Sequence, residues 1–138
     1  MRGKTITEIE INEKASFQKT LTETDVYLFA GITGDNNPAH INQVEAEKSF
    51  FKGRIAHGML SASLISTVFG VVLPGPGTIY LSQELKFLRP VRFGDTITAE
   101  VEVLEKDEAK NRIKCRTSCI NQNGELIIDG KAEVMPPK

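Results

Sequence analysis

Apolar and polar positions along this chain change period partway through. From Gly58 to Leu73 (GMLSASLISTVFGVVL) every residue is apolar or small, and the run stops at the breaker cluster Pro74-Gly-Pro-Gly77. The pattern predicts one helix, apolar all round and buried. Its sixteen residues would cover only ~24 Å, and a membrane span needs ~20 apolar residues, so this is a core helix and not an anchor. Beyond Gly77 the period becomes two, the signature of strands with one buried face. Ile79, Leu81, Leu85 and Phe87 alternate with Ser82, Glu84 and Lys86. Ile97, Ala99, Val101 and Val103 alternate with Thr96, Thr98, Glu100 and Glu102. A third row holds Ile113, Cys115, Thr117 and Cys119, and a fourth Leu126, Ile128, Ala132 and Val134. Asn123-Gly124 marks a hairpin between the last two. Short connections predict antiparallel neighbours in one wide sheet.

The region before the core helix is less regular. A strand is expected around Glu8 to Phe17, then a helix from Thr22, where Thr22-Glu-Thr-Asp supplies caps ahead of Val26, Leu28, Phe29 and Ile32. An apolar helix followed by a sheet with one apolar face packs economically when the sheet curls around the helix. The fold class read here is therefore α+β, a curved antiparallel sheet wrapped around a long central helix, as a single domain over residues 1–138. Such a sheet leaves open edges, and a second copy covering one of them is the expected remedy, so a homodimer is the minimum expectation.

Composition narrows the functional classes. The 138 residues carry 17 Lys and Arg against 18 Asp and Glu, a formal charge of -1. This balance gives no basic footprint for nucleic acid or anionic lipid. Yet Ile55 to Gln83 holds no charged residue at all, which again marks that stretch as interior. Cys115 and Cys119 sit four apart on one strand, ~13 Å, too far to bridge. With no disulfide framework and no basic-then-apolar leader pattern, the cytoplasm is the expected compartment.

Two segments carry candidate chemistry. Gly34-Asp35-Asn-Asn-Pro-Ala-His40 places a carboxylate and an imidazole five positions apart across a turn. Asp and His can share a water molecule and move protons in both directions, although Asp35 could equally be bonding local amides. Gly53-Arg-Ile-Ala-His57-Gly58 leads into the core helix. A helix start offers unpaired N–H groups and a positive dipole end to a developing oxyanion, and Gly58 has no side chain to obstruct approach. His57 itself can be a satisfied core or turn histidine. Ser61, Ser63, Ser66 and Thr67 are of a kind that usually bond back to the helix. Neither histidine stands in a metal-binding spacing, no nucleotide-cradling glycine motif occurs, and no GxSxG elbow is present. Arg54, Arg89 and Arg92 are either solvated surface or contacts for the phosphates of a large carrier.

Taken together, Phe29-Ala-Gly-Ile-Thr-Gly-Asp35-Asn-Asn-Pro-Ala-His40, Gly53-Arg-Ile-Ala-His57-Gly-Met-Leu and Gly94-Asp95 resemble the MaoC-like, R-specific enoyl-CoA hydratases. The resemblance runs along essentially the whole chain. It implies a hot dog fold and the reversible syn addition of water to trans-2-enoyl-CoA, giving (R)-3-hydroxyacyl-CoA. It further implies Asp35 and His40 as the catalytic pair, the backbone amide of Gly58 as the oxyanion donor, and Ser66 as a supporting residue near the pair. Coenzyme A enters as part of an acyl-CoA thioester substrate, and no metal or separate cofactor is implied. Two alternatives use the same fold, an acyl-CoA thioesterase and a non-catalytic acyl-CoA-binding subunit.

Overall fold

The computed structural model describes all residues from 1 to 138. Strand β1 (Lys14–Thr20) is followed by helices α1 (Glu23–Thr33), α2 (Pro38–Ile41), α3 (Gln43–Glu47) and α4 (Gly58–Thr67), the last continuing as a π-helical turn over Val68–Val72. Strands β2 (Ile79–Phe87), β3 (Thr96–Asp107), β4 (Arg112–Ile120) and β5 (Leu126–Met135) complete the chain. All five strands form one antiparallel sheet in the order β1-β3-β4-β5-β2.

The central strands follow the predicted rows. Ile97, Ala99, Val101 and Val103 of β3 and Ile113, Cys115, Thr117 and Cys119 of β4 are buried, while the residues between them face outward. Ala62, Leu64, Ile65, Val68 and Phe69 of the central helix fill the concave side. In this size range ~25 cal/mol per Å² of apolar burial is the dominant stabilising term. No helix is long and apolar enough to cross a membrane.

Four expectations need correction. The N-terminal strand is Lys14–Thr20, not Glu8 to Phe17. Glu8 accepts hydrogen bonds from the backbone N–H (3.1 Å) and hydroxyl (2.7 Å) of Thr5, and Glu13 accepts from the Glu10 N–H at 3.0 Å, which bends residues 5–13 into turns. Sequence neighbours do not all pair. After β2 the chain crosses through Leu88, bonded to Ile127, and buried Val91, whose carbonyl accepts from Ala56. It therefore pairs β2 with β5, on the far edge from β1.

The central helix is not buried all round. Met59, Ser63, Ser66 and Gly70 form one exposed face, and Val71 and Val72 at the end of the helix are exposed as well. Finally, the apolar row of β2 is largely uncovered, with Ile79 at 54%, Leu81 at 41% and Phe87 at 52% exposure. β2 is an edge strand, its register shifts between Tyr80 and Ser82, and no further strand of this chain lies beyond it.

Candidate active site

The loop carrying Asp35 is fixed by the helices on either side. Thr22 and Asp25 form a reciprocal capping box at the start of α1, and Gly34 ends the helix in the left-handed region at φ 79°, where a Cβ would be strained. The Asp35 N–H donates to the Thr33 hydroxyl at 3.1 Å. Its carboxylate accepts from the Asn37 N–H at 3.2 Å, an ordinary Asx contact that leaves the second oxygen unpaired. Asn37 then caps α2 by accepting from the Ala39 N–H at 3.0 Å, with Pro38 at the first helical position. This places His40 in the last turn of a four-residue helix.

His40 is half-buried, and its Nδ1 lies 2.7 Å from the Ile55 carbonyl. A carbonyl can only accept, so Nδ1 carries the hydrogen and Nε2 is the free nitrogen. Asp35, by contrast, is exposed. Ligand atoms of Asp35, His40 and His57 lie within 4.8 Å of one another. The carboxylate and imidazole foreseen from sequence are thus brought together in one cluster.

Gly58 opens α4, and the preceding His57 makes no side-chain cap bond; the Leu60 N–H turns back to the His57 carbonyl at 3.0 Å, which leaves the Gly58 and Met59 N–H groups uncapped at the helix start. A Cβ on Gly58 would lie 2.8 Å from two ring carbons of Phe87, so only glycine fits here without displacing that ring. Beside Gly58 is a cavity of about 490 Å³ with Phe51, Ala56, Phe87, Val91 and Ile127 among its walls. Asp35 and His40 lie outside that lining. The Asp35–His40–His57 cluster and the apolar cavity therefore adjoin at the His57-Gly58 step.

Ser66 stands apart from this cluster. It is exposed on α4, ~12 Å along the helix axis from Gly58, and its hydroxyl bonds to no other group of the chain. Arg54 is neither free surface nor an open anion contact. Its guanidinium donates to Glu23 at 2.8 Å, to Gln43 at 3.0 Å and to Tyr27, and packs over the Phe93 ring at 4.9 Å. Bonds from Tyr27 and Arg54 hold the Glu23 carboxyl below its ordinary range. Arg92 donates to the Phe51 carbonyl at 2.5 Å, and Arg89 pairs with Glu125 at 3.2 Å on the surface.

His57, for which a satisfied core or turn role is one of two readings from sequence, is buried at 2% exposure but only half satisfied. Its Nε2 lies 2.9 Å from the Asp35 carbonyl, and its Nδ1 has no partner. The ring stacks on His40 at 3.8 Å with 27° between planes. That stacking bears on metal binding. Imidazole lone pairs lie in their ring planes, and planes tilted by only 27° meet several ångströms beyond a metal–nitrogen reach of about 2 Å. The cluster is poorly shaped for a cation held by both rings. Nucleophilic thiol chemistry has no candidate either, since Cys115 and Cys119 are buried and burial pushes both thiols up to about 12.

Comparison with known proteins fits this geometry. A curated (R)-specific enoyl-CoA hydratase of Rhodospirillum rubrum is 51% identical over 130 residues, 94% of this chain and 90% of that protein. A 3-hydroxybutyryl-CoA dehydratase of Methylorubrum extorquens is 41% identical over 95% of this chain and 83% of that protein. The solved structure of an R-hydratase from Pseudomonas aeruginosa, in the unliganded form, superposes with a TM-score of 0.93 at 47% identity, covering 99% of this chain and 88% of the other. The sheet wrapped on its helix is thus the hot dog fold of the R-hydratases. Residues 6–124 match the family described as the MaoC-like domain, and this chain belongs to that family.

Proposed function

We propose that the protein is an R-specific enoyl-CoA hydratase, a hydro-lyase that reversibly adds water to trans-2-enoyl-CoA to give (R)-3-hydroxyacyl-CoA. The observation that carries this reading is the close approach of the Asp35 carboxylate and the His40 imidazole to each other and to His57, the N-cap of α4. Its close relatives bear the names hydratase and dehydratase, the two directions of one reaction.

In this proposal Asp35 and the free Nε2 of His40 hold one water. Its oxygen bonds to C3 of the enoyl group as the double bond is lost. The proton that leaves the water is returned by the pair to C2 on the same face, which makes the addition syn. During the reaction charge gathers on the thioester oxygen, where the Gly58 N–H and the helix dipole stabilise it. The apolar cavity beside Gly58 suits the unreactive part of the thioester. Ser66 keeps its supporting role only if the substrate or a second copy reaches the exposed side of α4. Coenzyme A belongs to the substrate, and the chemistry calls for no further cofactor or metal.

The proposed assembly is a homodimer or higher homo-oligomer of this single domain. The uncovered apolar row of β2, an edge strand, supports a second copy seated there, and Val71 at 69% and Val72 at 47% exposure are further apolar side chains left open. Two free, buried thiols fit a reducing compartment, and we assign the protein to the cytoplasm.

The decisive experiment offers crotonyl-CoA and longer enoyl-CoA thioesters and follows loss of the enoyl absorbance, with chiral analysis of the product. The R alcohol is expected. An S product would overturn the proposal. Thiol release with the enoyl group intact would instead favour the thioesterase, and binding without turnover the non-catalytic subunit.

A further inference from the structure

We propose that His57 is a positioning residue of this site, a ring held in the Nε2–H tautomer that sets Asp35, His40 and the Gly58 amide relative to one another. The inference rests on the hydratase reading for its consequence in turnover, and on the structure alone for the tautomer.

His57 occupies the N-cap of α4, where Ser, Thr, Asp or Asn usually accept a bond from the first turn. It makes no such bond. Its polar edge points the other way, with Nε2 2.9 Å from the Asp35 carbonyl, 22 residues earlier in the chain. Since that carbonyl only accepts, Nε2 carries the hydrogen. The face of the ring lies on His40, centroids 3.8 Å apart. Phe29 of α1 packs against it at 4.9 Å and 58°. The next peptide bond supplies the Gly58 N–H. One side chain therefore touches the backbone of Asp35, the ring of His40 and the start of the oxyanion donor.

The unpartnered Nδ1 is informative as well. A buried polar atom without a partner costs ~1–3 kcal/mol, so a residue that served packing alone would be better as Phe or Leu. A flat ring that also donates at its far end meets both demands, stacking on His40 and bonding Asp35. A misplacement of ~1 Å in such a site costs on the order of 10²-fold in rate. The two histidines are consequently held in opposite tautomers, hydrogen on Nδ1 in His40 and on Nε2 in His57.

The chain has just two histidines, which makes this directly readable. Nitrogen-detected NMR of the labelled wild-type protein at mildly alkaline pH should give one ring of each tautomer, assigned with His57→Gln. Finding the hydrogen on Nδ1 of His57 would overturn the proposal. In kinetics with crotonyl-CoA, His57→Leu should lower kcat by roughly 10²-fold with KM changed less than about threefold. His57→Gln, whose amide N–H can reach the same carbonyl, should recover at least about tenfold of that loss. Turnover of His57→Leu within threefold of wild type overturns the proposal, and so does a folded His57→Gln no better than Leu. If His57→Leu does not fold, the wild-type spectrum still decides the tautomer, and a folded His57→Gln must then stay within about tenfold of wild-type kcat, a loss near 10²-fold overturning the proposal. A wild-type protein that shows the opposite tautomers but hydrates no enoyl-CoA would sink the proposed function and leave the tautomer assignment standing.

Discussion

The segment from Thr33 to Gly58 and the sheet strands β3 to β5 answer to different demands. In the sheet the side chains on the helix side of β3 and β4 are buried and the strands pair antiparallel along nearly their whole length, with one register shift at Val103/Glu105 and one at Cys119/Ile120. In the segment Asp35 is exposed with one carboxylate oxygen unpaired, His57 buries an unpartnered nitrogen, and α4 begins without a side-chain cap. Local rules are mostly kept where the chain builds scaffold, the unpartnered Arg112 Nη1 of β4 aside, and are broken more often where it builds the site. Departures of that kind lower stability and persist when they serve chemistry. Substitutions in the two regions should therefore separate activity from stability.

The largest separation is expected at the catalytic pair. Asp35→Asn and His40→Gln should each lower kcat for crotonyl-CoA by 10² to 10⁴-fold, about 4 kcal/mol of barrier in the middle of that range. Urea midpoints should move little, because neither side chain belongs to the core. Either variant retaining near-normal turnover would remove Asp35 and His40 from the mechanism.

Gly58 lies where the two regions meet, so it should show both effects. In Gly58→Ala the new Cβ meets the Phe87 ring at 2.8 Å, and either that ring or the start of α4 must shift. If the helix start moves, the oxyanion donor moves with it, and kcat should fall by roughly 10²-fold, about 3 kcal/mol. Adding Phe87→Ala should restore part of the rate. No restoration would place the damage in the backbone and not in the clash.

How far the sequence could be read follows the same division. The rows of β3 and β4 were legible because this chain itself covers their inner faces, so burial and alternation agree. β2 carries the same alternation, but Ile79, Leu81 and Phe87 lie open because nothing in the chain covers them. A pattern reports that a face wants cover, not who supplies it. Asp35, His40 and Gly58 were legible through Gly34-Asp35-Asn-Asn-Pro-Ala-His40 and the glycine before the apolar run. The helices α2 and α3, four and five residues long, are too short for periodicity, though Asn37-Pro38 is a cap signal. His57 was missed because its partners are a carbonyl 22 residues away and a stacked ring. The one hint was a histidine at a helix N-cap, where its type is unusual.

Within the scaffold, Val101→Ala should cost about 2 kcal/mol, since it removes two methyl groups from a fully buried position and the sheet can only partly close the gap. Urea denaturation would read this as a lower midpoint at unchanged slope. Turnover per folded molecule should stay within twofold. A larger loss of rate would show that the sheet tunes the site and would erase the separation drawn here.

The finest test lies at the far end of α1. Thr22 accepts from the Asp25 N–H at 3.1 Å and Asp25 returns a bond to the Thr22 N–H at 2.9 Å. Thr22→Ala breaks this box and should lower stability by ~1 kcal/mol. The 11-residue helix separates that cap from Asp35 by ~16 Å. Phe29 and Thr33, which touch His57 and the Asp35 N–H, lie on its second half. Fraying confined to the first turn should leave both contacts, and with them kcat, unchanged. A drop in kcat of more than about threefold, at a temperature where the variant is fully folded, would mean that α1 transmits its cap to the pair as a rigid rod, and the boundary between scaffold and site would then lie at Thr22 instead of Thr33.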